Sequence, residues 1–141
     1  MMHNETVVTL DGRTLTKRDC YVEAVACDPN CGDAYYNLGA IMTEASTVTL
    51  RDGRTLTARD CYIEAIASDA TFSNAYYNLG AHMSGSETVT LRDGRILTER
   101  DCYTEALACD PSSGKAYYNL GINTGTGTVT LRDGRYLTNR D

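Results

Sequence analysis

The apolar and polar residues of this chain follow a pattern that returns every 41 residues. Its most constant part, Ala-Tyr-Tyr-Asn-Leu-Gly, occupies residues 34–39, 75–80 and 116–121. We interpret this segment as a helix that recurs in every copy. A fixed period in this range is typical of a stacked repeat array, in which each unit buries its apolar face against its neighbours.

Each copy also contains the pattern of a tight β-hairpin. Residues 48–50 and 54–57 are rich in Val, Thr and Leu, and they flank Asp52-Gly53. Glycine tolerates the positive φ that closes such a turn. A three-residue loop with Gly53 in the left-handed region places Leu50 opposite Arg54 and Val48 opposite Leu56. The pattern recurs at residues 89–98 and 129–138.

The first hairpin, residues 8–15, is one residue shorter in its turn. A two-residue Asp11-Gly12 turn places Leu10 opposite Arg13 and Val8 opposite Leu15. This register keeps the same side chains on the same face, so the shorter copy predicts a hairpin with one buried face.

A second type of helix is predicted after each hairpin. Its start carries Thr-x-x-Asp, in which the threonine hydroxyl accepts from a first-turn amide and the aspartate reaches back. Pro29 and Pro111 end this helix in two copies. The capping pairs are Thr16 with Asp19, Thr57 with Asp60, and Thr98 with Asp101. In the middle copy, one face is predicted to carry Cys61, Tyr62, Ala65, Ile66 and Ser68.

The Tyr-Tyr-Asn-Leu-Gly helix is expected to run to about Met42, Met83 or Ile122 in its three copies. The third copy continues into a glycine-rich stretch, so we expect that helix to end early. The first tyrosine of each pair is assigned to the core. These tyrosines are Tyr35, Tyr76 and Tyr117.

Together the two helices resemble a tetratricopeptide repeat. Tyr35, Leu38 and Gly39 match the first half of that motif, and Tyr62 with Ala65 matches the second. Pro29 and Pro111 stand at the terminal proline position. The family repeat has about 34 residues, and a hairpin inserted between the two helices accounts for the longer period.

The resemblance implies an α+β repeat solenoid, in which stacked antiparallel helix pairs carry one β-hairpin per repeat. We expect a single solenoid domain over residues 1–141, with repeat units at 7–47, 48–88 and 89–128. Residues 129–141 then form a terminal hairpin and an unfinished helix cap. Helix spacing and strand spacing are similar, which suggests that successive hairpins join into one continuous antiparallel sheet.

The net charge of −6 disfavours nucleic acids and acidic lipid surfaces as partners. Residues 1–6 lack the basic end and apolar stretch of a signal peptide, and no run of about 18 apolar residues occurs. We expect a cytoplasmic protein. Five of the six cysteines occupy repeat positions, which favours structural thiols over metal or redox use.

The resemblance also implies a concave groove, lined by the first helix of each pair, that binds peptide segments. A tyrosine offers rigid apolar area with a hydroxyl, and an asparagine amide pairs with a peptide backbone. Packing between helices is the alternative role for the second tyrosine of each pair. The candidate peptide-binding residues are Tyr36, Asn37, Tyr77, Asn78, Lys115, Tyr118 and Asn119.

Some members of that family hold a terminal carboxylate with lysine, asparagine and arginine. Asn78 and Lys115 match that clamp by position, whereas Tyr36, Ala40 and Asn119 do not. The arginines beside the turns are interpreted as solvated side chains that protect the sheet edges, with a charged ladder as the alternative. These arginines are Arg51, Arg54, Arg92, Arg95, Arg132 and Arg135.

No phosphate-binding loop, metal motif or nucleophile motif occurs, so we expect neither catalysis nor a cofactor. The leading hypothesis is a non-enzymatic scaffold that binds a protein or peptide segment. The alternative is a structural array that self-associates head to tail into rings or filaments, because its repeats are nearly interchangeable.

Overall fold

The computed structural model describes residues 6–43, 45–84, 86–124, 128–131 and 133–138. The chain divides into two compact units, residues 1–68 and 69–141. The boundary falls inside the repeat unit predicted at residues 48–88. Within the described residues the fold is α+β, and helices alternate with small antiparallel hairpins. None of the described helices combines the length and apolar character needed to cross a membrane.

The first unit contains two hairpins and three helices among its described residues. In chain order they are β1 (Thr6–Val8), β2 (Thr14–Thr16), α1 (Lys17–Cys27), α2 (Gly32–Ala40), β3 (Thr47–Thr49), β4 (Thr55–Thr57) and α3 (Ala58–Ser68).

The second unit begins with a helix and continues through two hairpins and two further helices. In chain order they are α4 (Ser73–Ala81), β5 (Thr88–Thr90), β6 (Ile96–Thr98), α5 (Glu99–Cys109), α6 (Gly114–Thr124), β7 (Thr128–Thr130) and β8 (Tyr136–Thr138).

The hairpin register predicted for the longer copies is confirmed. Val48 lies opposite Leu56, and the Leu50 amide donates to the Arg54 carbonyl at 2.8 Å. Gly53 adopts a φ of +94°, which only glycine accepts readily. The Asp52 carboxylate accepts from the Arg54 amide at 3.0 Å and fixes the turn. The hairpins β5–β6 and β7–β8 repeat this register.

The register predicted for the first hairpin is wrong. Val7, not Val8, lies opposite Leu15, and the Thr9 amide donates to the Arg13 carbonyl. The turn keeps its three-residue loop, so Thr9 takes the place that Leu50 has in the next hairpin. Leu10 therefore lies in the loop and is fully exposed. The reason is local, because the aspartate and glycine of the turn keep the same bonds and the positive φ of the other copies.

The predicted helix caps are confirmed in all three copies. The Thr16 hydroxyl accepts from the Asp19 amide at 3.1 Å, and the Asp19 carboxylate accepts from the Thr16 amide at 2.9 Å. These reciprocal bonds satisfy two donors that a helix start leaves unpaired. The same two bonds form between Thr57 and Asp60 and between Thr98 and Asp101.

Two predictions about the helices are wrong. Ser68 is exposed, whereas the other four residues assigned to its face are buried. The third Tyr-Tyr-Asn-Leu-Gly helix, α6, runs to Thr124, so it is two residues longer than α2 and α4 rather than shorter. Glycine lowers helix propensity, but Gly121 does not end the helix.

A tight helix pair forms the core of each unit. In the first unit α2 packs on α3, and a Cβ atom on Gly39 would lie 3.0 Å from the Tyr62 ring. In the second unit α4 packs on α5, and a Cβ atom on Gly80 would lie 2.9 Å from the Cys102 Cβ. The glycine therefore allows the backbone of one helix to touch side chains of the next.

The prediction of one continuous sheet is wrong, because β1–β2, β3–β4, β5–β6 and β7–β8 are separate two-stranded sheets. Each strand is only three residues long. The hairpin β3–β4 turns its apolar residues inward, as the buried Val48, Leu50 and Leu56 show, whereas Val7 and Val8 of β1–β2 are exposed. The hairpins are thus held by helices rather than by neighbouring strands. The solenoid and the tetratricopeptide-like identity stay predictions.

Candidate functional site

In the first unit, the second tyrosine of the motif packs against the following helix. The Tyr36 and Tyr62 ring centroids lie 5.8 Å apart with the planes tilted by 54°. Tyr36 and Asn37 are both half-buried on α2. The packing role considered for Tyr36 is therefore present, and part of its surface stays accessible beside Asn37.

In the second unit, the equivalent tyrosine contacts two further helices. The Tyr77 and Tyr103 ring centroids are 5.8 Å apart, which fixes one side of the Tyr77 ring against α5. The Lys115 ammonium lies 4.6 Å from the Tyr77 ring centroid. The Asn119 side-chain amide donates to the Tyr77 hydroxyl at 2.7 Å. Two side chains of α6 thus contact Tyr77 of α4.

The sequence explains why these two side chains arrive together. Lys115 and Asn119 are four residues apart on α6, so they lie on the same helical face, with Tyr118 beside Asn119. Tyr118 is 70% exposed and Lys115 is also exposed. We call this set the α4–α6 surface. It consists of Tyr77, Lys115, Tyr118 and Asn119.

The α4–α6 surface offers several polar groups around two aromatic rings. The Lys115 ammonium contributes donors, and the Asn119 amide retains its carbonyl oxygen and a second N–H after bonding Tyr77. The position of the ammonium over the Tyr77 ring is a cation–π contact, which favours one orientation of the lysine. This combination suits a ligand with both apolar side chains and backbone amides.

Asn78, the other clamp residue expected from the resemblance, lies next to Tyr77 on α4 and is half-buried. Of the seven predicted binding residues, Tyr77, Lys115 and Asn119 contact one another in the second unit, with Tyr77 between the other two. Tyr36 and Asn37 lie in the first unit, on α2.

The turn arginines were interpreted as solvated side chains, but the second arginine of each longer turn also bonds a tyrosine of the preceding helix. Arg95 donates to the Tyr76 hydroxyl at 2.6 Å and to the Asp93 carboxylate at 2.8 Å. Its guanidinium also lies 3.4 Å from Glu105 of α5. One side chain of the hairpin therefore connects to helices on both sides of it.

The same connection recurs in the first unit. Arg54 donates to the Tyr35 hydroxyl at 3.0 Å and to Asp52 at 2.9 Å, and it lies 3.6 Å from Glu64. Arg135 donates to Tyr117 at 2.6 Å and to Asp133 at 2.8 Å. This tyrosine and this arginine recur at fixed positions of the repeat, and that recurrence was the pattern from which these bonds could have been predicted. Arg132 lies outside the described residues.

Hydrogen bonding changes the acidity of the groups in these turns. The Arg54 amide and guanidinium lower the pKa of the Asp52 carboxyl, and the corresponding arginine amides do the same for Asp93 and Asp133. The Tyr76 hydroxyl has a raised pKa, because burial outweighs the bond from Arg95. The carboxylates therefore stay ionised and the tyrosine stays neutral at neutral pH.

The first tyrosine of each motif fills the core as predicted in two copies, since Tyr35 and Tyr76 are each 1% exposed. Tyr117 is only partly buried.

The cysteines at the helix contact are enclosed. Cys61 and Cys102 are buried, and their Sγ atoms lie 3.9 Å and 3.8 Å from the Sδ atoms of Met42 and Met83. Burial, with smaller contributions from neighbouring carboxylates, raises the pKa of both thiols to about 12. Such thiols stay protonated at neutral pH and are poor nucleophiles and metal ligands.

Within the described part of the chain, no three residues among His, Cys, Asp and Glu are grouped so that they could hold a metal ion. All six cysteines are free thiols in the structure.

Each unit has a small open cleft between the end of a second-type helix and the next turn. The cleft of the first unit measures about 290 Å³, and its lining includes Val25, Pro29 and Leu50. The cleft of the second unit measures about 250 Å³, with Leu107 and Leu131 in its lining. The arginines at their rims are those bonded to tyrosines or carboxylates, so the clefts offer mainly apolar contact.

No protein family matches the sequence, and no curated protein matches it.

Proposed function

We propose that this protein is a non-enzymatic scaffold, similar to tetratricopeptide repeats, that binds an extended peptide or protein segment on the α4–α6 surface. The observation that supports this most is the contact of Tyr77 with both Lys115 and Asn119. It sets side chains of two successive Tyr-Tyr-Asn-Leu-Gly helices next to each other. A groove lined by the first helix of each pair requires this arrangement.

The chemistry of the surface favours a peptide as ligand. Tyr77 is held by Tyr103 on one side, so little side-chain entropy is lost when a ligand packs against it. Tyr118 adds a second, largely exposed ring. Asn119 supplies the polar groups that a peptide backbone needs, and Lys115 favours ligands with an acidic side chain or a carboxylate.

A binding role fits the side chains better than a catalytic role. The two cysteines at the helix contact carry a pKa of about 12, which leaves almost no thiolate at neutral pH. Tyr76 and Arg95, which both have raised pKa values, are bonded to each other, and Arg54, whose pKa is also raised, bonds Tyr35. The raised pKa values of these two arginines thus reflect bonds that hold the hairpins to the helices.

A peptide selection tests the proposal. A display library of random 12-residue peptides is selected on the immobilised protein, and the affinity of enriched peptides is then measured by fluorescence anisotropy. The site variant combines Tyr77→Phe, Lys115→Gln and Asn119→Ala. Phenylalanine keeps the ring packing on Tyr103 but removes the hydroxyl. We expect enriched peptides to bind this variant at least about tenfold more weakly.

Tyr136→Ala is the matched control, because Tyr136 is 74% exposed on β8 and lies outside the α4–α6 surface. Binding to this control should equal binding to the unaltered protein. Thermal unfolding of every variant checks that the fold is retained. The proposal fails if selection enriches no sequence, or if the enriched peptides bind the site variant as tightly as the unaltered protein.

A further inference from the structure

A helical face that is covered in α2 and α4 is open in α6. A Cβ atom on Gly39 or Gly80 would meet α3 or α5 at 3.0 or 2.9 Å, but a Cβ atom on Gly121 would meet none of the described residues within 4 Å. The exposure of the tyrosine three residues before each glycine shows the same difference, since Tyr118 is 70% exposed whereas Tyr36 and Tyr77 are half-buried. The α6 face formed by Tyr118 and Gly121 is therefore the uncovered copy of an established contact.

The complementary face is open on α1. Cys20, Tyr21 and Ala24 are each partly exposed. Their equivalents in α3 and α5 are at most 2% exposed, because a Tyr-Tyr-Asn-Leu-Gly helix packs on them. These buried equivalents are Cys61, Tyr62 and Ala65 in α3, and Cys102, Tyr103 and Ala106 in α5.

We propose that a second copy of this chain docks its α1 face onto the α6 face. The protein itself contains this contact twice, as α2 on α3 and as α4 on α5, with the same residue types on both sides. By that precedent, Cys20 of one copy lies against Gly121 of the other, and Tyr21 stacks against Tyr118. This proposal does not rest on peptide binding, although Tyr118 belongs both to the docking face and to the α4–α6 surface.

Charged groups at the two ends support the same pairing. Arg54 and Arg95 each bond a tyrosine, an aspartate and a glutamate of the following helix. Arg135 bonds the tyrosine and the aspartate. On α1, Glu23 occupies the position of that glutamate, where Arg51 bonds it and Arg13 lies 3.7 Å away. Docking brings Glu23 of one copy to Arg135 of the other and completes the set.

Docking also requires one hairpin to move. The hairpin β7–β8 is bonded to α6 as β5–β6 is bonded to α4, and β1–β2 lies against α1. Two hairpins would therefore meet where the internal contact has only one. The hairpin that yields is β1–β2. Its Leu10 is fully exposed, whereas Leu131 beside β7 is 5% exposed and Arg135 bonds Tyr117. An isolated two-stranded hairpin is only marginally stable, so its displacement costs little.

This contact joins two different faces, so it leaves a free face at each end of a pair. Such heterologous contacts generate rings when the rotation closes and filaments when it does not. Blocking one face on each molecule should therefore limit assembly to dimers.

The test uses light scattering after size exclusion across a hundredfold range of concentration. The unaltered chain should exceed its monomer mass of 15.4 kDa as concentration rises. Gly121→Leu blocks the α6 face, and Cys20→Arg blocks the α1 face. Each variant alone should remain monomeric, with its association weakened at least about tenfold. A mixture of the two should form dimers and nothing larger, since one open face of each kind remains.

Ile122→Ala is the matched control on the same helix, because Ile122 is 66% exposed and its equivalents, Ala40 and Ala81, are exposed even in the copies that make the contact. It should associate like the unaltered chain. Circular dichroism confirms that all variants are folded, and Gly121→Ala replaces Gly121→Leu if the leucine unfolds the chain. A constant mass of 15.4 kDa for the unaltered chain, or Gly121 variants that associate normally, would overturn the proposal.

Discussion

The helices α4 and α6 share the same six-residue motif but differ in what covers them. In both helices the leucine is buried, with Leu79 at 0% and Leu120 at 1% exposure. Gly80, however, touches α5, whereas no residue that the structure describes lies within 4 Å of a Cβ atom on Gly121. The motif therefore specifies a helix with a buried leucine, and a neighbouring helix decides whether its glycine is required.

The largest contrast is expected for alanine at the two glycines. Gly80→Ala should lower the free energy of unfolding by about 1–3 kcal/mol, because the new Cβ meets Cys102 at 2.9 Å. Gly121→Ala should raise it by up to about 1 kcal/mol, since alanine favours the helix and meets no neighbour. Urea denaturation of the monomer measures both values. Equal effects of the same sign would contradict the comparison.

The tyrosine hydroxyls provide the second contrast. Tyr76→Phe removes the acceptor of a 2.6 Å bond from Arg95 at a position that is 1% exposed. We expect it to lower the free energy of unfolding by about 1–2 kcal/mol. Tyr117→Phe removes the same bond from Arg135, whose side chain is 52% exposed. Water can replace that bond, so the loss should be about 0.5 kcal/mol or less.

Denaturation of the two phenylalanine variants under identical conditions gives the comparison. If Tyr117→Phe destabilises the protein as much as Tyr76→Phe, burial does not set the strength of this bond.

The smallest effect concerns the turns, which are alike in both regions. The pKa of Asp93 and Asp133 lies below the ordinary 3.8, mainly because the amides of Arg95 and Arg135 donate to their carboxylates. A lowered pKa in the folded state stabilises the fold at pH values above 3.8, and this contribution is lost as the pH falls further. Melting temperatures measured from about pH 6 to about pH 2.5 should therefore decrease in the acid range.

Asp93→Asn and Asp133→Asn should each make that acid decrease shallower by a similar amount, because both carboxylates are exposed. Glu99→Gln, outside the turns, serves as a control for general loss of negative charge. An unchanged acid profile in both asparagine variants would show that the turn carboxylates do not contribute.

Local chemistry made much of the fold predictable. Asp-Gly turns with threonine-rich flanks gave the register of three hairpins, and Thr-x-x-Asp gave the helix starts, because both rest on bonds between residues two or three positions apart. The buried positions of Tyr35 and Tyr76 also followed from the repeat.

Predictions failed where the structure depended on groups far apart in sequence or on competing local preferences. In the first hairpin, the turn kept its bonds and the apolar Leu10 was exposed, so turn chemistry outweighed side-chain register. The hairpins did not join into one sheet, and the bonds from Arg54 to Tyr35 and Glu64 attach one of them to helices. Those bonds connect residues 10 to 19 positions apart, which no short-range pattern specifies.

The α4–α6 surface was likewise predictable from the sequence only in part. The sequence singled out Tyr77, Lys115 and Asn119 through a resemblance, but only the structure showed that Lys115 and Asn119 both contact Tyr77. The four-residue spacing on α6 placed two of them on one face, whereas the contact with α4 required the helices to pack.

The sequence by itself determined the helices, their caps and the glycine turns, because these depend on backbone preferences and on bonds between near neighbours. The tertiary structure alone decided which faces are covered. Gly80 and Gly121 stand in the same motif, yet only Gly80 lies against a neighbouring helix, because burial depends on which distant side chains pack there.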